Sequence, residues 1–159
     1  MSEFDRLVGA LDYPMFIVTV ADDDVRAGCL VGFAAQCGMS PPRFMVWLSK
    51  KNHTFEIAQR VATFAVHIPT AADRALAELF GSETGDTVDK FAGIDWRPGP
   101  EGVPLLTDCP QWFVGRVLSR EDTGDHVGHL LEPVAVSEAY ALGQLPFQSV
   151  KTLTPGHEA

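Results

Sequence analysis

Short apolar runs separated by polar turns dominate the first third of the chain and predict strands. The run over residues 14–21 (PMFIVTVA) is rich in β-branched residues, and a polar turn over 21–24 separates it from a second run over 25–33. Together the two runs predict a β-hairpin. A third strand is predicted over 43–49, directly after Pro41-Pro42, because proline cannot donate to a ladder and therefore suits a strand's entry.

Two helices are predicted in the middle of the chain. Asn52 is a good N-cap for a helix over about 53–60. Thr70 and Asp73 then form a capping-box pattern at the start of a second helix. The residues predicted to share the apolar face of that helix are Ala72, Ala75, Leu76, Leu79 and Phe80.

Three more strands complete the pattern. One is predicted over 63–68, and two long ones over 111–120 and 126–137 are joined by an acidic turn. Five or six strands at short spacing with few helices are typical of a barrel rather than a doubly wound sheet. The pattern therefore predicts a β-rich α+β fold, one small barrel with a few short helices.

Charge and length narrow the function classes. The 159 residues carry 12 Lys and Arg against 21 Asp and Glu, a formal net charge of −9. This balance argues against nucleic acid or an anionic membrane as partner, because both are held mainly by Lys and Arg. No run of about 18 apolar residues could span a bilayer, and the acidic N-terminus lacks the pattern of a secretory signal. We expect one domain over residues 1–159, with a core over about 13–137 and a C-terminal tail over about 138–159.

The cysteines and histidines predict no metal site. Cys29, Cys37 and Cys109 are odd in number and lack C-x-x-C spacing, which is typical of reduced thiols and favours a cytoplasmic location. His126 and His129 are three positions apart on a predicted strand. Their side chains should point to opposite faces, because the side-chain period of a strand is two.

The strongest pattern for ligand binding lies in residues 27–54. A loop of small residues is predicted over 30–37, and the third strand ends at Lys50-Lys51, the only adjacent cations in the chain. A helix N-terminus favours anions, since its first backbone N–H groups are unpaired and its dipole attracts negative charge. We therefore predict a flat ligand along 30–37 whose phosphate is held by Lys50, Lys51, Asn52, His53 and Thr54.

Four motifs, in this order, make the chain similar to the flavin reductase-like family. They are Ala27-Gly28 leading to Pro41-Pro42, KKNHT over 50–54, DKF over 89–91, and GDH over 124–126 at the start of a strand. The resemblance spans roughly residues 13–137. It implies an FMN-binding split β-barrel that usually forms homodimers. The exposed sheet edges and apolar faces of a small split barrel also favour a dimer, with Trp47 or Trp112 expected among the buried aromatics. The resemblance also implies FMN (or FAD) as cofactor, NAD(P)H as co-substrate, and a partner monooxygenase that receives reduced flavin.

The resemblance further implies roles for particular residues. His126 would lie near the flavin ring and help to hold the nicotinamide nucleotide. Lys90 and Phe91 would lie close to the flavin, where Lys90 would neutralise a phosphate or the reduced ring. The cofactor-binding residues expected along the predicted loop are Leu30, Val31, Gly32, Phe33, Gln36 and Cys37.

The predicted loop departs from the family pattern. Where the family carries several Ser, Thr and Asn residues between Gly28 and Pro41, this chain carries Leu30, Gly32, Phe33, Gln36 and Gly38. Contacts to a flavin from this stretch must then come from backbone groups and Gln36. Each neutral hydrogen bond lost removes about 0.5–1.5 kcal/mol, so this departure bears directly on flavin affinity.

Three interpretations follow from these residues. Hydride transfer from NAD(P)H to a flavin asks little of protein side chains, because the cofactor supplies the chemistry. The lack of a Ser-His-Asp set or a spaced carboxylate pair therefore suits a flavin reductase, but equally a flavin-binding electron carrier, store or sensor. A split barrel that binds a deazaflavin or haem is the third. The loop without hydroxyls favours the last two, whereas His126 and the KKNHT motif favour the first.

Overall fold

The computed structural model describes residues 1–82, 89–138, 140 and 143–153. Residues 83–88, and residues 139, 141–142 and 154–159 of the predicted tail, lie outside the described residues. Seven antiparallel strands form one sheet in the order β2-β1-β5-β8-β9-β4-β3, and β6 and β7 form a separate two-stranded ribbon. The strands are β1 Phe16–Asp22, β2 Val25–Val31, β3 Ala34–Met39, β4 Pro42–Ser49, β5 Thr63–His67, β6 Trp96–Pro98, β7 Pro104–Leu106, β8 Trp112–Asp122 and β9 His126–Val136.

Three short α-helices accompany the sheet: α1 Glu3–Gly9, α2 His53–Ala58 and α3 Arg74–Ser82. The β-rich α+β class predicted from the sequence is confirmed. None of the described helices is long and apolar enough to cross a membrane.

The predicted hairpin is confirmed, with Phe16 paired to Val31 and Asp22 paired to Val25. Asp23 adopts a positive φ of 51° in the turn, a conformation that Asp tolerates better than most residues. The interior of the barrel is built mainly from the first and fifth strands. Their fully buried residues include Ile17, Val18, Val20, Phe64 and Val66.

The strand β3 overturns the predicted loop over residues 30–37. β2 continues to Val31, and Ala34–Met39 pair with β4, so only Gly32 and Phe33 lie between strands. β3 consists of small and polar residues with little burial, so the sequence shows no alternation of apolar side chains that would predict a strand there. The pairing with β4 shifts between Gln36 and Gly38, and this bulge around Cys37 interrupts the edge of the sheet.

The helix α3 differs from its predicted amphipathic face. Ala77 and Phe80 are buried, whereas Ala72 and Ala75 are exposed. The cause is a 3₁₀ turn over Ala71–Asp73, which the Thr70–Asp73 capping box begins, because three residues per turn shift the face of the following α-helix. A Cβ at Gly28 would lie 2.6 Å from Cε1 of Phe80, so α3 packs this closely on β2 only over glycine.

The two ends of the chain, to which the sequence assigned no secondary structure, pack together. α1 begins at a capping box between Ser2 and Asp5, and none of its residues is buried. In the predicted tail, Leu145 and Val150 are buried and pack with Met15 and Ala77. The segment 143–153 is therefore part of the folded domain.

His67 ties the ribbon of β6 and β7 to the sheet. Its Nδ1 lies 3.1 Å from the carbonyl oxygen of Ile17, and the backbone N–H of Leu106 donates to its Nε2 at 3.0 Å. These two contacts define the neutral tautomer with a proton on Nδ1. Burial lowers the pKa of His67 to about 4, so the ring is neutral at neutral pH.

Candidate functional site

His126 is the first residue of β9 and follows the tight turn at Gly124-Asp125. It pairs with Ser49 of β4, and its side chain is 20% exposed. His129, three residues later, is fully buried between the rings of Phe55 and Phe64. The prediction that the two histidines point to opposite faces is thus confirmed.

Asp125 fixes the orientation of the His126 imidazole. Nδ1 of His126 lies 2.8 Å from Oδ1 of Asp125, and this hydrogen bond lowers the pKa of the Asp125 carboxyl. An ionised Asp125 accepts a hydrogen bond from Nδ1–H, so Nε2 is left as the ring nitrogen that can accept a hydrogen bond from a ligand. Asp125 belongs to the GDH motif, but the sequence alone assigned it no role.

One aromatic ring contacts His126, and a second aromatic residue lies on the neighbouring strand. The ring of Phe33 lies 5.0 Å from the imidazole, centroid to centroid, at an interplanar angle of 50°. Trp47 pairs with Gly128 on the neighbouring strands, and a Cβ at Gly128 would lie 2.7 Å from the indole Nε1, so glycine lets the indole approach β9. We call the surface formed by Phe33, Trp47 and His126 the rim face.

The segment Lys50–Thr54 begins beside the rim face. The backbone N–H of Lys50 donates to the carbonyl oxygen of Asp125 at 2.9 Å, and its ammonium lies 2.7 Å from Oδ2 of Asp122. This contact lowers the pKa of the Asp122 carboxyl. The structure thus places Lys50 beside the turn that leads to His126, with its ammonium paired to a carboxylate.

The remaining residues of this segment mainly form the start of α2. The side-chain oxygen of Asn52 accepts the backbone N–H of Thr54 at 2.9 Å, which confirms the predicted N-cap. Thr54 is only 1% exposed, and its hydroxyl is directed at the buried Cys29 thiol. Lys51 is exposed, and His53 lies 3.9 Å from the Glu56 carboxylate. Lys51 and His53 therefore present more surface to a phosphate than Thr54 does.

Lys90 and Phe91 lie in the interior. Lys90 is 7% exposed, and its ammonium donates to the carbonyl oxygens of Gly28 and Phe80, both at 3.0 Å. Phe91 is buried against Phe80 and Trp96. These contacts hold Lys90 between β2 and the end of α3, where a cation also suits the negative end of the helix.

The other residues predicted along 30–37 divide into two groups. Leu30 and Val31 belong to hydrophobic clusters of β2, and Gly32 packs on Tyr13 and Met15. Gln36 donates its side-chain amide to the carbonyl oxygen of Gly38 at 3.1 Å, and Cys37 is exposed at the bulge. Phe33 is the member of this set that the structure brings into contact with His126.

Two other features were tested as sites. Among the described residues, no group of three or more His, Cys, Asp or Glu side chains could hold a metal ion. A cavity of about 510 Å³ opens at the far end of β8 and β9 from His126, with Leu105, Trp112 and Val136 among its lining residues. Its charged side chains, Arg97 and Glu138, are exposed, and no histidine lines it. The rim face is therefore the better candidate for chemistry.

Comparison with known proteins identifies the family. The model of the flavin reductase like domain matches residues 8–148. The chain belongs to the flavin reductase like domain family. It is 28% identical over 123 residues to a probable flavin reductase of Rhizobium meliloti, covering 75% of this chain and 38% of that protein. It is also 28% identical over 123 residues to the reductase subunit of a flavin-dependent monooxygenase from Mycobacterium tuberculosis, covering 77% and 64%. The chain thus spans less than two thirds of the length of these relatives.

Solved structures share this family's fold. An NADH:FAD oxidoreductase from Streptomyces globisporus superposes with a TM-score of 0.82 at 22% identity, covering 99% of this chain and 90% of that one. An FMN-binding protein from Thermus thermophilus has a TM-score of 0.76 at 23% identity, covering 81% and 73%. At these identities the likeness concerns the fold.

Proposed function

We infer that this flavin reductase-like protein is an NAD(P)H-dependent flavin reductase whose flavin is FMN. The observation that carries the proposal is the rim face, where an imidazole oriented by Asp125 lies against the exposed ring of Phe33 beside Lys50. Family membership and the flavin reductase names of its relatives support the same conclusion.

The residues of the rim fit a flavin nucleotide. A flat heteroaromatic ring matches the exposed aromatic surface of Phe33, and the exposed Lys51 offers a cation for a phosphate. The fit is poorest along β3, since residues 30–38 contain no hydroxyl and Gln36 bonds to Gly38. We therefore expect ring contacts and backbone groups, rather than side-chain hydrogen bonds, to hold the flavin there.

In this proposal the residues of the chain bind and orient the flavin and the nicotinamide nucleotide. A bound flavin supplies the ring that accepts a hydride from NAD(P)H. His126, held by Asp125, presents Nε2 to the nicotinamide nucleotide and positions it, because orienting two reactants lowers the entropic part of the barrier. Phe33 and Trp47 exclude water from one side of this surface. The hydride transfer itself requires no proton from the protein.

The proposal extends to partners. The reductase subunits among the relatives suggest a monooxygenase that receives reduced flavin from this protein. We also expect a homodimer, because the hairpin of β8 and β9 exposes Leu118, Val134 and Val136, and such apolar surface is usually covered by a partner. A mass near 17 kDa by light scattering at micromolar concentration would contradict the dimer. A cytoplasmic location stays a prediction.

A second candidate is a flavin-binding carrier, store or sensor without turnover of its own. It is favoured by the internal use of Lys50 and Asn52 and by the burial of Thr54, since these groups have partners without any phosphate. If the protein binds flavin only weakly, the flavin would act as a substrate of a reductase and not as a stored or carried group. The two candidates differ in turnover, not in fold.

An absorption spectrum of the purified protein, followed by NADH and NADPH oxidation with added FMN or FAD, tests the proposal. We expect saturable oxidation of one nicotinamide that requires flavin. Flavin binding without any nicotinamide oxidation would favour the second candidate, and no flavin binding at all would refute both.

A further inference from the structure

We propose that Phe33 is the stacking platform for the planar heteroaromatic ring that reaches His126, and that it determines how tightly that ring is held. The inference rests on the proposed function, because the ring belongs to the flavin or to the nicotinamide. The family resemblance implies only that Phe33 contacts the cofactor; the inference adds that its ring stacks on the ligand and sets the affinity.

The exposure of Phe33 is the first support. Phe33 is 53% exposed, although Val31 at the end of β2, two residues earlier, is buried. The imidazole of His126 meets it at 5.0 Å and a 50° tilt, a tilted aromatic contact that covers part of the ring only. The part of the Phe33 ring that His126 does not cover is exposed apolar surface beside the imidazole, where a second flat ring can stack.

The backbone around Phe33 is held firmly. Its carbonyl oxygen accepts the N–H of Trp47 at 2.8 Å, which fixes the residue to β4. On the other side, a Cβ at Gly32 would lie 2.8 Å from Cε2 of Tyr13, so the preceding residue is packed directly on that ring. A platform needs this support, because a ring on a fixed backbone loses little conformational entropy when a ligand stacks on it.

The neighbouring residues offer few other contacts for a ligand. Residues 30–38 carry no hydroxyl, Gln36 donates its amide to Gly38, and Leu30 and Val31 pack into clusters of the core. Apolar ring surface is then the main side-chain contact available from this stretch. Stacking of a heteroaromatic ring on an aromatic side chain changes affinity by roughly fivefold to a hundredfold.

The test compares Phe33→Leu and Phe33→Trp with wild type and with Phe4→Leu. Phe4 is another exposed Phe, on α1, so Phe4→Leu makes the same chemical change away from the rim face. Fluorescence titration with FMN and calorimetric titration with NAD⁺ and NADP⁺ measure binding without turnover. Circular dichroism and thermal unfolding establish that every variant is folded.

We expect Phe33→Leu to weaken binding of FMN or of one nicotinamide nucleotide at least fivefold, Phe33→Trp to remain within threefold of wild type, and Phe4→Leu to have no effect. The ligand that is weakened identifies the ring that stacks. Unchanged binding of all three probes by Phe33→Leu overturns the inference, and so does an equal loss in Phe33→Trp. If the wild-type protein binds none of the probes, both the inference and the proposed function fail. Nicotinamide oxidation at wild-type rates and affinities in Phe33→Leu refutes the platform alone.

Discussion

The interior of the barrel and its rim use the same polar residue types in opposite ways. His67 and His129 are buried, and burial lowers the pKa of each to about 4. His67 has a backbone partner at both ring nitrogens, so its protons and contacts are fixed by the fold. His126 at the rim has Nδ1 held by Asp125 while part of its ring is exposed to solvent.

The lysines repeat this contrast. Lys90 is buried with its ammonium on two backbone carbonyls, whereas Lys50 at the rim pairs with the exposed carboxylate of Asp122. A buried ammonium must keep its hydrogen bonds, because an unpaired buried charge is costly. A surface pair contributes little and can be exchanged for a ligand. The interior groups therefore stabilise the fold, and the rim groups are available for binding.

The largest effect that follows is a loss of stability in acid. The unfolded chain binds protons at histidine below about pH 6.5, whereas folded His67 binds one only below about 4. Folding stability should then fall as pH is lowered from about 6.5 to 4. The shift of His67 corresponds to about 3 kcal/mol, and His129 acts in the same direction.

Urea unfolding at pH 7.0, 5.5 and 4.5 measures this loss. The variant His129→Phe keeps an aromatic ring between Phe55 and Phe64 and should reduce the pH dependence. His126→Gln is the matched change at the rim. If that variant, and not His129→Phe, removed the dependence, the contrast between interior and rim would be wrong.

A somewhat smaller effect is expected from Lys90. In Lys90→Met the carbonyl oxygens of Gly28 and Phe80 lose their charged donor, and we expect the free energy of unfolding to fall by about 2–3 kcal/mol. Denaturant titration measures it, with Lys51→Met as the control at an exposed lysine. A stable Lys90→Met that binds FMN more than tenfold more weakly would instead return Lys90 to the flavin site implied by the family resemblance.

The same contrast shows what the sequence could predict. Strong alternation and proline or aspartate breaks predicted the hairpin of β1 and β2, β4, β5 and the long pair β8 and β9 within a few residues. β3 was not predicted, because its small residues form an edge strand that is held by backbone pairing and leaves no burial pattern in the sequence. The helix α1 was not predicted for the same reason, since none of its residues is buried.

The site was predictable only in part, for a related reason. The GDH motif placed His126 at the rim, because a strand start after a tight turn must lie at an end of the barrel. No pattern indicated that Lys90 turns inward to two carbonyls, or that Thr54 faces Cys29, since both depend on how α3 and α2 pack on β2. Contacts between distant segments decided these cases.

At the rim, His126→Ala should slow flavin reduction by NADH or NADPH, or raise the Michaelis constant of the nicotinamide, by about ten- to a hundredfold. FMN affinity and the free energy of unfolding should change little, because the side chain is at the surface of the barrel. Stopped-flow reduction separates binding from turnover. Asp125→Asn, which weakens the hold on Nδ1, should give an intermediate loss. Equal rates in wild type and His126→Ala would leave His126 a turn residue and favour the carrier without turnover.

The smallest effect expected at the rim concerns the two lysines. Lys51→Glu should weaken FMN binding about tenfold or more, because a favourable charge near the phosphate becomes a repulsive one. Lys50→Gln should weaken it less, since the Lys50 ammonium already pairs with Asp122 and the change also releases that carboxylate. Fluorescence titration at two salt concentrations measures both, and the difference between the variants should shrink at high salt as surface charges are screened.

Unchanged FMN affinity in a folded Lys51→Glu protein would remove this segment from the phosphate site. A larger loss in Lys50→Gln would mean that bound FMN replaces Asp122 as the partner of the Lys50 ammonium.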